Sequence, residues 1–275
     1  MSFDFADIRG QAQAKRALEV AAAGGHHVLM IGQPNAGRFF LARRIPGILP
    51  PLSGAEAAET AEIFAAAGLL KSGGDPDSLR RPFRAPHHTV SRAGMAGGGP
   101  VPRPGEASLA HNGVLFLDEL PEFQRGVLEA LRGIMKVGES RVYRGGQVRA
   151  FPARFLLVAA SNPCPCGYFG EARCRCSAEA ILRYSERVRA VEGFDLVVRV
   201  PPLHYADLRQ REGEPSAAIR ERVLAARAFA VERRGEAQPP GATVARVART
   251  IADLAGSREV LPEHRSEAQA LVNPF

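Results

Sequence analysis

A short apolar run followed by two spaced glycines constrains the fold more than any other feature of this chain. Residues 26–31 lead into Gly32, and Gly37 follows with four residues between the two glycines. This strand, glycine loop and helix order is typical of phosphate-binding sites, where backbone N–H groups face phosphate oxygens. The expected nucleotide-binding residues are Gly32, Gln33, Pro34, Asn35, Ala36, Gly37, Arg38 and Phe39.

Two positions of this loop depart from the usual pattern, which continues with lysine and then serine or threonine. Arg38 stands in the lysine position and Phe39 in the hydroxyl position. Arginine keeps the charge, but its wide planar fork does not replace an ammonium group at a narrow site. Phe39 removes a Mg²⁺ ligand. We therefore expect ATP with Mg²⁺ to bind weakly or not at all.

Composition favours a soluble protein with a substantial core. The chain has 275 residues, of which 45% are hydrophobic, and its net charge is +7 with a pI near 9.7. It has neither an apolar run of about 18 residues nor a basic segment followed by an apolar one at its start. We expect a cytoplasmic location without membrane binding, and the positive charge permits an acidic partner such as DNA.

Continuous apolar runs predict four buried parallel strands in an α/β core, at residues 27–31, 114–117, 155–160 and 196–200. Helices are expected at 11–23, 38–45 with Pro46 as its end, 53–68 with Ser53 and Glu56 as a capping box, and around 123–134. We expect an insertion with one short hairpin at 70–112, and a hairpin at 141–150 that turns at Gly145 and Gly146. Helices near 216–233, 243–255 and 262–271 predict a small helical domain at 204–275, after a core at 1–203.

Polar residues follow two of these strands. Asp118 and Glu119 end the run at 114–117, and Asn162 lies just beyond the run at 155–160. Ligands of open α/β sheets bind beyond the carboxyl ends of the strands, where these residues and the glycine loop would converge. Asp118 would hold Mg²⁺, Glu119 would activate water, and Asn162 would sense the γ-phosphate. The alternative is that Asp118 and Glu119 only begin a helix near Pro121.

All four cysteines lie in one short segment, as Cys164, Cys166, Cys174 and Cys176. Four clustered thiolates can form a tetrahedral structural zinc site, and the clustering is unsuited to stapling a fold with disulfides. The C-x-C spacing is tighter than the commonest zinc spacing, so the zinc prediction also depends on a reducing compartment and on the lack of any other cysteine. The alternative is four reduced thiols without a metal. His87, His88 and His111 lack a cysteine or carboxylate at ligand spacing, so we expect them to be structural or channel-facing.

Several longer runs match a known pattern. They are residues 7–11 (DIRGQ), 81–89 (RPFRAPHHT), 104–106 (PGE), 109–123 (LAHNGVLFLDELPEF) and 162–167 (NPCPCG). With them the chain resembles the AAA+ module of the magnesium-chelatase family, and within it the ComM branch. The resemblance implies a P-loop NTPase (AAA+) three-layer core with a parallel sheet, followed by a helical lid. It assigns Asp118 and Glu119 to the Walker B pair and Asn162 to the first sensor.

The resemblance also implies a partner and an assembly. Members of this family form ATP-driven rings, usually hexamers, and the ComM branch moves on branched or single-stranded DNA during recombination. The insertion at 81–112 and the hairpin at 141–150 would face the central channel, with Arg141, Arg144 and Arg149 on DNA phosphates. The alternative is a solvated hairpin. The Lon-protease-like domain that precedes this module in the ComM branch is not expected here.

Further departures weaken the expected activity. The family has an arginine that reaches the neighbouring subunit's site near a D-R-x-D pattern, and this chain has Gly193 there. The lid is shortened between residues 234 and 241, and the second sensor arginine has no clear place. We therefore expect an AAA+ module with impaired hydrolysis in a ring of its own copies or with an active paralogue. The alternatives are a pseudo-ATPase scaffold and a zinc-stabilised nucleic-acid-binding protein without nucleotide turnover.

Overall fold

The computed structural model divides into two compact units. The first contains Met1–Pro50, Ala160–Ala180 and Phe194–Phe275, and the second contains Pro51–Ala159 and Ile181–Gly193. The domain boundary predicted between residues 203 and 204 remains a prediction. The structure describes residues 3–70, 79–144, 147–189, 191, 193–203, 212–233 and 243–273.

Nine strands are described. They are β1 (Val28–Gly32), β2 (Phe83–Arg84), β3 (Gly97–Gly98), β4 (Arg103–Pro104), β5 (Val114–Leu117), β6 (Glu139–Arg144), β7 (Gln147–Pro152), β8 (Leu156–Ser161) and β9 (Leu196–Val200). Five of them form a sheet in the order β2-β5-β8-β1-β9, with parallel pairs such as Val28 opposite Leu196 and Val114 opposite Leu156. The α/β fold class is confirmed.

The four predicted buried strands are confirmed. All residues of β5 and of β8 are buried, as expected for strands covered on both faces. The sequence did not predict β2, which pairs with β5 through Phe83 opposite Val114. A two-residue strand is too short to produce a periodic pattern, so only its partner strand makes it recognisable.

Eleven α-helices are described, and two 3₁₀ turns lie at Phe5–Asp7 and Leu120–Glu122. The helices are α1 (Ala12–Gly24), α2 (Arg38–Ala42), α3 (Ile45–Ile48), α4 (Gly54–Ala66), α5 (Arg92–Ala96), α6 (Glu106–Leu109), α7 (Arg125–Val137), α8 (Ala178–Arg189), α9 (Ser216–Glu232), α10 (Thr243–Leu254) and α11 (Pro262–Val272).

Most helix ends follow from local chemistry. The predicted capping box is confirmed at α4, where the Ser53 hydroxyl accepts from the backbone N–H of Glu56 and the Glu56 carboxylate accepts from that of Ser53. The predicted end at Pro46 is wrong. The helix after the glycine loop ends at Ala42, and Pro46 lies in the first turn of α3, where a helix needs no N–H from it.

The insertion predicted at 70–112 has more structure than its composition indicates. The expected short hairpin is the pair β3–β4, in which Gly97 lies opposite Pro104. The insertion also contains β2, α5 and α6, while residues 71–78 lie outside the described residues. The hairpin predicted at 141–150 is β6–β7, although its two turn glycines lie outside the described residues.

The three C-terminal helices lie close to their predicted bounds, as α9, α10 and α11. The shortened lid connection predicted at 234–241 falls outside the described residues. Among the described helices, none combines the length and the apolar content needed to cross a membrane.

Candidate functional site

The glycine loop follows β1 in the first unit, and its two glycines serve different purposes. A Cβ atom on Gly32 would lie 2.4 Å from the carbonyl oxygen of Val200 in the neighbouring strand, so the pairing of β1 with β9 excludes a side chain there. Gly37 has a φ of 84°, which favours glycine, while nothing lies near its missing Cβ. The loop also places Asn35 at a φ of 63°, a conformation that asparagine tolerates.

Arg38 turns its guanidinium into the protein. Its side chain donates to the carbonyl oxygen of Gly32 at 2.6 Å and to that of Ser161, and these carbonyls end strands β1 and β8. It also donates to Oδ1 of Asn162 at 3.0 Å. Arg38 is only 8% exposed, and its fork therefore links two strand ends to the predicted sensor residue.

Phe39 is half-buried next to the loop. Its ring meets that of Phe40 edge-on, with centroids 6.2 Å apart, and the guanidinium of Arg43 lies 5.8 Å from its centroid. An aromatic ring offers no oxygen ligand, so the loop retains an apolar surface at the position where Mg²⁺ would need a hydroxyl.

A second loop of the same unit, residues 162–177, packs on the glycine loop. A Cβ on Gly167 would lie 2.6 Å from Cδ of Pro34. The backbone of the second loop therefore packs directly against the Pro34 ring, and a side chain at Gly167 would clash with it. The amide of Gln33 donates to Glu171 and accepts from Arg173 at 3.2 Å. The sequence did not predict a role for Glu171 or the contact of Arg173 with Gln33, because nothing in the spacing connects these residues to the glycine loop.

The four cysteines lie in this second loop, and their sulfur atoms are within 4.8 Å of one another. The Sγ of Cys164 is 3.4 Å from that of Cys166 and 3.8 Å from that of Cys174. Four sulfurs placed tetrahedrally at about 2.3 Å from zinc would be separated by about 3.8 Å. The donor set and its spacing therefore fit a tetrahedral structural metal ion.

The thiols of this cluster differ in acidity. A backbone hydrogen bond from Tyr168 and thiol hydrogen bonds from Cys164 and Cys176 lower the pKa of Cys166 to about 6. A backbone hydrogen bond from Cys166 lowers the pKa of Cys176, but its thiol contacts and burial outweigh this and raise the pKa to about 12. Without a cation, close sulfurs hinder each other's ionisation, and a divalent metal would remove this conflict.

The predicted Walker B residues directly follow β5 in the second unit. Glu119 has a φ of 52° and its backbone N–H donates to the Asp118 carboxylate at 3.0 Å. A left-handed glutamate is an uncommon conformation that often occurs at functional sites. The Glu119 carboxylate lies 3.4 Å from Nδ1 of His88, whose ring centroid is 4.1 Å from that of His87, with the two ring planes tilted by 34°. The sequence did not connect His88 with Glu119, because 30 residues separate them.

Other residues of the sequence motifs make ion pairs and hydrogen bonds inside the second unit. Arg84 forms a two-fold ion pair with Glu106, both contacts being 2.7 Å long. Arg81 contacts Glu56 and donates to the carbonyl oxygen of Asn112 at 2.6 Å. His111 is 3% exposed and lies 3.0 Å from Glu59, while its Nδ1 accepts from a backbone N–H, so its expected structural role agrees with these contacts.

The three arginines predicted to contact DNA do not share one face of the hairpin. Arg141 pairs with Ala150 and Tyr143 with Val148, so Arg141 and Tyr143 lie on the same face. Arg149 pairs with Val142 and therefore lies on the other face, with its guanidinium 5.3 Å from the ring of Phe151. The side chain of Arg144 lies outside the described residues.

Gly193, in the predicted arginine-finger position, has a φ of 112°. The nearest atom to its missing Cβ is Cε of Met135 at 3.6 Å, which leaves space for a small side chain. Its backbone conformation, rather than crowding, thus disfavours any other residue there.

The structure places the predicted residues in two groups. The glycine loop, Asn162 and the cysteines belong to the first unit, whereas Asp118 and Glu119 belong to the second. The roles predicted for them remain predictions.

Comparison with known proteins identifies the family. The chain matches the family described as magnesium chelatase, subunit ChlI, over residues 4–208. It is 40% identical over 305 aligned residues to competence protein ComM of Haemophilus influenzae, covering 97% of this chain and 59% of ComM.

Two further relatives agree. YifB of Salmonella typhimurium is 46% identical over 81% of this chain and 44% of its own length. The magnesium-chelatase 38 kDa subunit of Cereibacter sphaeroides is 26% identical over 58% of this chain and 53% of its own length. The chain thus spans about half the length of the curated relatives it matches. On this evidence, the chain belongs to the magnesium-chelatase family, as an AAA+ module similar to ComM.

Proposed function

We propose that this chain is an AAA+ nucleotide-site module in which ATP hydrolysis is impaired. The observation that carries the proposal is the inward position of Arg38. Its guanidinium is hydrogen-bonded to the carbonyl oxygens of Gly32 and Ser161 and to Asn162, so phosphate oxygens would have to compete with three protein acceptors. Buried charge-assisted hydrogen bonds cost about 1.5–3 kcal/mol each to break.

In this proposal, the other residues of the nucleotide site each have a separate role in phosphoryl transfer. Backbone N–H groups of the glycine loop would bind phosphate oxygens, and Asp118 would hold Mg²⁺ without help from a hydroxyl at Phe39. Glu119 would accept a proton from the attacking water. Asn162 would orient that water or the γ-phosphate, but its Oδ1 already accepts from Arg38. Phosphoryl transfer depends on the accurate positioning of the phosphate, the metal ion and the attacking water. The changes at Arg38 and Phe39 and the engaged Oδ1 of Asn162 would each weaken this positioning.

Steady-state hydrolysis tests the proposal. Phosphate release is measured for the chain and for Glu119→Gln, which removes the proposed base and serves as the background control. We expect the chain to turn over ATP no faster than about 10⁻² per second, at least a hundredfold below typical motors, and Glu119→Gln to change little. A rate near 1 per second that Glu119→Gln abolishes would contradict impaired hydrolysis.

We also propose that the four cysteines hold zinc, as supported by their mutual spacing. Elemental analysis of protein purified without chelator should give about one zinc per chain. Cys176→Ser should lower this content. Protein without stoichiometric metal would leave four reduced thiols as the better description.

DNA association in a ring, of this chain or with an active paralogue, is the corresponding proposal for partners. The positive net charge and the exposed Arg141 and Tyr143 support it, and ComM is named as a competence protein. We expect a cytoplasmic protein. If ATP binds independently of Mg²⁺, a pseudo-ATPase scaffold describes the chain better, and if nucleotide does not bind at all, a zinc-stabilised nucleic-acid-binding protein does.

A further inference from the structure

We infer that Glu171 and Arg173 are positioning residues for the glycine loop, and that the metal held by the four cysteines keeps them in place. The inference rests on the proposed zinc site and adds a role for it. Metal occupancy would determine how firmly the phosphate-binding loop is ordered.

The contact on the glycine loop is made through Gln33. The Gln33 amide nitrogen donates to the Glu171 carboxylate, and its amide oxygen accepts from Arg173 at 3.2 Å. Arg173 and Glu171 are themselves paired at 2.6 Å. This closed triad uses both ends of the Gln33 amide, so it fixes the side-chain orientation rather than only its position.

The triad is attached to the cysteine cluster by one side-chain contact and by backbone hydrogen bonds. The guanidinium of Arg173 lies 3.7 Å above the ring of Tyr168, whose backbone hydrogen-bonds to the Cys166 sulfur. The backbone N–H of Cys174 donates to the carbonyl oxygen of Glu171 at 3.0 Å. Both positioning residues therefore lie between metal ligands and are held from each side.

Regular secondary structure does not order this loop. Residues 162–177, all of which are described, contain neither helix nor strand, and of the four cysteines only Cys164 is fully buried. A loop of this length needs another source of order. When four thiols lose their metal, the links to Tyr168 and Cys174 lose their anchor, and the contacts with Gln33 and Pro34 should loosen with them.

Hydrogen–deuterium exchange measures this directly and does not depend on catalysis. We would compare zinc-loaded protein with protein stripped of metal by chelator, following the amides of residues 33 and 35–38. We expect about tenfold faster exchange there without metal, and unchanged exchange in α10 as evidence that the fold persists.

Variants separate the positioning residues from the metal. Arg173→Ala and Glu171→Ala should retain zinc and yet speed exchange of the same amides severalfold. Arg175→Ala is the matched control, because it removes the same charge from the same loop, and Arg175 is exposed and makes no side-chain contact with Gln33 among the described residues. It should leave exchange unchanged.

Three results would overturn the inference, and they are distinguishable. If metal analysis finds zinc but chelation leaves loop exchange unchanged, the proposed zinc site stands and its link to the glycine loop is wrong. If the protein contains no zinc, both proposals fail together. Equal effects of Arg175→Ala and Arg173→Ala would assign the change to lost charge instead of the triad.

Discussion

Arg38 shows how much a single side chain can change a nucleotide loop. An ammonium group at this position can reach phosphates from a narrow site, whereas the planar guanidinium meets three protein acceptors at once. In the proposed account, arginine at this position replaces a phosphate contact with contacts to the protein. The sequence indicated a loss at this position, but the inward hydrogen bonds follow from strand ends that only the fold brings together.

Arg38→Lys should destabilise the protein, because one ammonium cannot satisfy acceptors on Gly32, Ser161 and Asn162 together. We expect the free energy of unfolding to fall by about 1–3 kcal/mol in urea titrations. Arg43→Lys, at an exposed position, is the control and should cost less than about 0.5 kcal/mol. Equal stability of Arg38→Lys and the parent would mean that these contacts contribute nothing.

Gly193→Arg should not restore an arginine finger. The φ of 112° disfavours any residue with a Cβ atom, so the change should cost about 1–3 kcal/mol of unfolding free energy. Gly193→Ala should cost nearly as much, since the backbone and not the guanidinium causes the strain. A fully stable Gly193→Arg protein with faster hydrolysis would refute this explanation.

Sequence patterns predict only some of the strands and side-chain contacts of this protein. The buried strands could be located because strands covered on both faces consist of continuous apolar runs. The β2 strand and the inner triad of Gln33, Glu171 and Arg173 could not, because they depend on partners far along the chain. Similarly, the pairing register decides which face of the hairpin each arginine occupies, and it places Arg141 and Arg149 on opposite faces.

The hairpin faces make a prediction for DNA binding. Arg141→Ala should weaken binding of a labelled single-stranded oligonucleotide and reduce the slope of log affinity against log salt by about 0.7. Tyr143→Ala should cost about 1–3 kcal/mol if bases stack on its exposed ring. Arg149→Ala, on the opposite face, should change affinity little. Fluorescence anisotropy across a salt series measures all three.

Equal losses from Arg141→Ala and Arg149→Ala would show that both faces contact DNA. A salt-independent affinity would remove phosphate contacts from the account altogether.

The start of β9 makes a prediction for acid stability. Burial raises the pKa of Asp195, but hydrogen bonds and charges from His26 and Arg246 outweigh it and lower the pKa from 3.8 to about 2. A depressed carboxyl pKa stabilises the fold above about pH 4 and loses that contribution as pH falls towards 2.

Asp195→Asn should therefore be less stable than the parent at pH 7, by roughly 1–2 kcal/mol after solvent screening is allowed for. The gap should close between pH 4 and pH 2 in denaturant titrations. Arg246→Gln should narrow the same gap, because it removes the guanidinium that pairs with Asp195. A gap independent of pH would contradict a charged role for Asp195.

Over the whole molecule, the family and the α/β fold were predictable. The long motif runs indicate the family, and the continuous apolar runs indicate the buried strands of the fold. The division into two compact units, one holding the glycine loop and the other Asp118 and Glu119, was not. It depends on which segments pack together, and neither spacing nor composition reports that. Because the chain spans about half the length of its relatives, their activities remain proposals for it.

Calorimetric titration with ATP, with and without Mg²⁺, tests the central claim that Arg38 and Phe39 have altered the nucleotide site. The parent chain should show weak or no binding, without Mg²⁺ dependence. The double change Arg38→Lys and Phe39→Thr should bind ATP at least about tenfold more tightly with Mg²⁺ than without it. Tight, Mg²⁺-dependent binding by the unaltered chain would contradict the account.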